Sequence, residues 1–92
     1  MYSKKYKIEK IEQFGRENPV YEGMEGAVCH PAYLRVGERG WILVEYETEW
    51  FTFIEHPHRL HTSIIKNVDY VIGDKLSIVI DTEHTRLTLR EI

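Results

Sequence analysis

The stretch Trp41-Ile42-Leu43-Val44-Glu45-Tyr46-Glu47, Thr48-Glu49, Trp50-Phe51-Thr52-Phe53-Ile54 decides how the rest of the chain is read. Both arms are rich in the β-branched and aromatic residues that fit a pleated surface, and the pair between them is polar. That pattern predicts a β-hairpin. A turn at Thr48-Glu49 sets Tyr46 opposite Phe51 and Val44 opposite Phe53, so Ile42, Val44, Tyr46, Phe51 and Phe53 share a face and form the candidate core. The other face carries Trp41, Leu43, Trp50 and Ile54 beside Glu45 and Glu47. It is too apolar for a solvated surface and is expected to be an interaction surface, for a second copy of the chain or another protein. The competing expectation is internal: the segment 6–14, with Tyr6, Ile8, Ile11 and Phe14, folds across it.

Outward from this hairpin, alternation continues. Leu60, Thr62, Ile64, Val68 and Tyr70 fall on one face, with Lys66 interrupting it and marking a bulge or a barrel rim. Leu76, Ile78 and Ile80 and then Leu87 and Leu89 follow. A loop of Ile72-Gly73-Asp74 keeps the apolar faces together and pairs Tyr70 with Leu76 and Val68 with Ile78, with Gly73 at a left-handed position. An even loop at Glu83-His84 sets Ile80 opposite Leu87 and Ile78 opposite Leu89. The expected core is Ile42, Val44, Tyr46, Phe53, Ile64, Val68, Ile78, Ile80, Leu87 and Leu89.

Toward the N-terminus, Tyr6, Ile8 and Ile11 read as a short strand with an irregularity. Residues 15–26, with Asn18-Pro19 and three glycines, read as a loop or extended arm. Ala27-Val28-Cys29 is a short apolar run stopped by His30-Pro31, and Tyr33-Leu34-Arg35-Val36 is another, closed by a tight turn at Gly37-Glu38-Arg39-Gly40. The whole is expected to be one all-β domain over residues 1–92: about six short antiparallel strands in a small barrel or barrel-like sandwich of the SH3-like or OB-like kind, with residues 1–22 as N-terminal strand and arm.

Composition narrows function. The 92 residues leave room for one core, and 12 Lys and Arg against 15 Asp and Glu give a net charge of -3, which disfavours nucleic acid as partner. The single cysteine, Cys29, excludes an internal disulfide and fits a reducing, cytoplasmic setting. No apolar run approaches a membrane span.

The segments Arg59-Leu60-His61-Thr62-Ser63-Ile64-Ile65 and Ile80-Asp81-Thr82-Glu83-His84-Thr85-Arg86-Leu87-Thr88-Leu89 carry an Arg-x-x-Thr-Ser strand followed by a Thr-x-x-Thr hairpin. This C-terminal third resembles a pattern in small uncharacterised proteins of bacteria and their prophages. The resemblance implies a small β-domain without assigned chemistry.

Three function classes follow. A non-enzymatic protein-interaction or assembly module, without cofactor, ranks first, because no catalytic constellation is present. A single-stranded nucleic-acid binder is the alternative, using Tyr33, Arg35 and Arg39 with Trp41 and Trp50 as a stacking platform. A metal-dependent hydrolase is the third, with zinc held by His56, His58 and His61, although Pro57 divides the first pair and no zinc-binding signature is present. Glu45, Glu47, Glu49 and Glu55 suit a soluble, aggregation-resistant edge better than acid-base work. Ser63, Thr62 and Cys29 are potential nucleophiles without a base at a telling spacing.

Overall fold

The computed structural model describes residues 5–15, 17–18, 21, 23–45 and 58–92. Six strands run in chain order: β1 (Tyr6–Gln13), β2 (Val28–Tyr33), β3 (Arg39–Glu45), β4 (His58–Ile72), β5 (Leu76–Thr82) and β6 (Thr85–Glu91). Each pairs antiparallel with the next and β1 pairs with β6, which closes the ring into a barrel. Closure leaves the wall few free edges and turns one face of each strand inward. Ile8, Cys29, Ile42, Val44, Leu60, Ile65, Ile80, Leu87 and Leu89 fill that interior and are fully buried.

β4 makes closure possible in so small a ring. Its first half pairs with β3 and its second half with β5, so one long strand serves two sides of the barrel. Two register shifts bend it: one between the pairs Trp41–His61 and Arg39–Ile64, the other between Ile65 and Asn67, where Lys66 is the extra residue. Each bulge inverts the inward face, so Leu60 and Thr62 point in, then Ile65, then Val68. The expected core position Ile64 is therefore only half-buried, and its neighbour Ile65 takes the place.

Other expectations are corrected. Val44 faces Cys29 on one side and His58 on the other, so it does not pair with Phe53 as the tight hairpin required. Tyr46, Trp50, Phe51, Phe53 and Ile54 lie outside the described residues. The β4–β5 loop is Gly73–Lys75, which pairs Tyr70 with Ile78 and Val68 with Ile80. The faces match the expectation and the register slips by two residues. Gly73 does not take a positive φ. The β5–β6 register is as anticipated, with Ile80 opposite Leu87 and Ile78 opposite Leu89.

β1 is a wall strand with an irregularity between Ile8 and Lys10, and Tyr6 and Ile8 point into the core, so it does not fold across the outer face of β3. β2 runs through Pro31, because β1 reaches β2 only at Val28 and Cys29 and the missing proline N–H leaves no ladder bond unmade on that edge. The gap beyond is closed by the arm: Tyr21 and Met24 drop into the core, and Ile8 N–H donates to Ala27 O while Gly26 N–H donates to Ile8 O.

The two turn glycines act differently. Gly37 adopts φ +90°, whereas Gly40 is needed for space: a Cβ there would lie 2.6 Å from Ile65 Cδ1 and 2.7 Å from the Tyr33 carbonyl oxygen.

Candidate functional site

At one end of the barrel four strand ends converge. Phe14 N–H donates to His84 O, Glu83 N–H to Ile64 O and Ile65 N–H to Glu38 O, which ties the end of β1, the β5–β6 turn, the bulged part of β4 and the β2–β3 turn together. Between them opens a cleft of about 810 Å³, lined by Gln13 from β1 and Phe14 just after it, Glu17, Asn18 and Tyr21 from the arm, Arg39 from β3, His61–Ser63 from β4 and His84–Thr85 from β6 and its turn.

Thr62, Ser63 and Thr85 of its lining belong to a hydroxyl cluster centred on the buried Thr82 beneath them. Thr82 Oγ1 lies 2.7 Å from Thr85 Oγ1 and accepts from Ser63 Oγ at 3.0 Å, from Thr85 N–H at 3.0 Å and from His84 N–H at 3.3 Å. Beside it, Thr62 Oγ1 accepts from Gly40 N–H at 2.9 Å and donates to Ser63 O at 2.7 Å. The Thr62-Ser63 pair and the Thr82-x-x-Thr85 hairpin of the sequence thus form one contiguous network. A side-chain hydroxyl taking two N–H groups of a tight turn is a common way to satisfy a buried turn, so the cluster has a folding role of its own. None of these hydroxyls bonds an imidazole among the described residues, so neither Thr62 nor Ser63 has an activating base there.

Cys29 is fully buried in the barrel interior. Burial, reinforced by the charge of Glu45, pushes its thiol up to about 12, so the thiolate is scarce at neutral pH. Glu45 itself lies 2.8 Å from His30 Nε2 on the outer face.

The structure separates the other candidates. Leu43 is 2% exposed in the single chain and so offers no free surface, which corrects its assignment to an interaction face. Trp41 is half-buried, with the Arg59 guanidinium 5.1 Å from its ring centroid and the His61 ring 6.5 Å away; Trp50 and Ile54 lie outside the described residues. Tyr33 faces Trp41 across β2 and β3, Arg35 is engaged with Glu38 at 3.2 Å, and Arg39 sits in the cleft. For zinc, His56 and the His58 side chain lie outside the described residues, and among the described residues no three His, Cys, Asp or Glu side chains gather as a metal site.

At the other end of β4 and β5, the hairpin runs past the barrel. Tyr70, Val71 and Ile72 are 59%, 54% and 85% exposed. Sequence alternation assigned Tyr70 to the core face, but among the described residues β4 pairs with β3 only as far as Ile64, and Tyr70 stands exposed. No helix among the described residues is long and apolar enough to cross a membrane. No family model, curated protein or solved structure matches the chain.

Proposed function

We propose that this chain is a non-enzymatic protein-interaction module that assembles with a second copy of itself through the tip of the β4–β5 hairpin. The observation that carries it is three consecutive exposed apolar residues, Tyr70, Val71 and Ile72, on a protruding hairpin. Natural β-proteins guard such segments or pair them. β4 pairs with β3 only as far as Ile64 and with β5 from Ile65 onward, so among the described residues no strand takes the outer edge of residues 66–72. An antiparallel edge complements itself, and a two-fold axis makes the contact isologous. Centred on Tyr70, such a pairing sets the two tyrosines against each other and Val68 against Ile72 on one face, with Asp69 against Val71 on the other, so the first face is apolar throughout. The interaction surface moves from Trp41 and Leu43 to this tip because Leu43 is already covered. A cytoplasmic setting and an origin in a phage or mobile element belong to the same reading, supported by the single cysteine and by the resemblance of the C-terminal third.

Sedimentation equilibrium across concentration tests it. The expected result is a monomer–dimer equilibrium that Tyr70→Lys with Ile72→Lys converts to a monomer of unchanged circular dichroism. A monomer mass for the unsubstituted chain up to about 1 mM, where even weak association registers, sinks the proposal.

A further inference from the structure

The cleft lies at the end of the barrel away from that hairpin, and its chemistry is different. We propose that it binds a nucleotide phosphomonoester, with Arg39, His61 and His84 at the phosphate and the ring of Phe14 against the base. Its volume, about 810 Å³, is in the range of small-molecule sites and far exceeds what a bare phosphate fills. Arg39 makes no ion pair with a carboxylate among the described residues, although the chain as a whole is acidic and Arg35, Arg86 and Arg90 each have one. A guanidinium at a cleft wall that no described carboxylate engages is a bidentate donor for a phosphate.

The titratable groups facing it are Glu17 and Tyr21 from the arm, His61 from β4 and His84 from the β5–β6 turn. Glu17 offsets Arg39 in formal charge, so the two imidazoles, which donate through N–H whether neutral or charged, tilt the cleft toward an anion. The hydroxyl cluster is neutral and engaged with itself, so it adds shape and no opposing charge. Phe14, 51% exposed at the wall, supplies what a phosphate alone does not use. An aromatic face in water at the wall of the same cleft is a stacking surface for a base, worth about five- to hundredfold in affinity. The phosphomonoester can belong to a free nucleotide or to the 5′ end of a strand. The exposed pair Arg59 and His61 beside Trp41 continues from the cleft along the outer face.

Isothermal titration of the full chain with a nucleoside 5′-monophosphate, the same nucleoside, inorganic phosphate and a short 5′-phosphorylated oligonucleotide provides the test. The monophosphate is expected to bind at least about tenfold more tightly than the nucleoside, the difference one charge-assisted contact supplies. Arg39→Gln removes that advantage at unchanged melting temperature, and Arg39→Lys restores part of it. Phe14→Leu weakens the nucleotide and leaves inorganic phosphate unaffected. Amide chemical-shift changes confined to residues 13–15, 39–40, 61–63 and 82–85 place the site on the unsubstituted chain, without reliance on any variant. Tighter binding of the oligonucleotide assigns a strand end and equal binding assigns a free nucleotide, and either outcome upholds the site. No binding of the monophosphate, or binding indifferent to Arg39→Gln, overturns it. Loss of dimerisation has no bearing on this result, since the tip and the cleft share no residue.

Discussion

Gly40→Ala tests the packing around the β4 bulge most directly. The glycine is buried between β2 and β4, and a methyl group there meets Ile65 Cδ1 at 2.6 Å and Tyr33 O at 2.7 Å, both well inside van der Waals contact. The Ile65 methyl is the far end of a side chain and can turn aside, but Ile65 is fully buried in a packed core and has little room to do so. The carbonyl is backbone, and moving it shifts the β2–β3 ladder at the register change between Pro31 and Tyr33. Overpacking of this kind costs about 1–3 kcal/mol. Displacing Gly40 also stretches its N–H bond to Thr62 Oγ1, so the upper half of that range is expected. For a domain of this size each kcal/mol moves Tm by about 4–8 °C, which gives a fall of about 8–24 °C. Gly73→Ala is the control: nothing lies nearer than 3.9 Å and no positive φ is required, so it is expected to be neutral or stabilising by up to about 1 kcal/mol. Thermal melts of both variants, followed by circular dichroism, make the comparison. A Gly40→Ala melt within about 2 °C of the parent refutes the claim that close approach dictates this glycine.

Thr82→Val keeps the volume and removes the hydroxyl that accepts from Thr85 N–H, His84 N–H and Ser63 Oγ, so denaturant unfolding is expected to show a loss of about 1–3 kcal/mol, with Ser63→Ala costing less because it removes only one donor. Cys29 links stability to high pH: its thiol rises from 9.0 to about 12 in the folded chain, chiefly through burial and further through Glu45, so the unfolded chain loses the proton first. The stability this contributes is complete below pH 9 and declines as pH rises from 9 toward 12, and Cys29→Ala is expected to flatten that part of the stability profile. A thiol reagent at pH 8 is expected to modify the native chain far more slowly than the unfolded one.

Parity explains both what the sequence showed of this barrel and what it hid. Alternation assigns a residue to a face without knowing its neighbours, so it placed Ile42, Val44, Ile78, Ile80, Leu87 and Leu89 inside, and the loop tests kept facing strands in phase. Lys66 announced its bulge because a lysine cannot occupy an apolar face unremarked. The bulge between Thr62 and Ile64 had no such mark, so Ile64 was assigned to the core in place of Ile65; the second bulge then restored the phase, and Val68 came out right. What alternation does not carry is whether anything lies across from a face. Tyr70 keeps the inward phase of Val68 and yet stands in solvent, because β4 outruns the wall, and Leu43 keeps the outward phase and yet is buried. The cleft is hidden for a related reason. Gln13, Arg39, Ser63 and Thr85 come from four strands, and only closure of β1 onto β6 brings the first and last of them together. Its one local trace is the spacing of hydroxyls in Thr62-Ser63 and Thr82-x-x-Thr85, which marks the cluster beneath it. The cation and the aromatic ring that give the cleft its chemistry reach it through the topology alone, so substitutions at Arg39 and Phe14 report on binding, and substitutions at Thr82 report on folding.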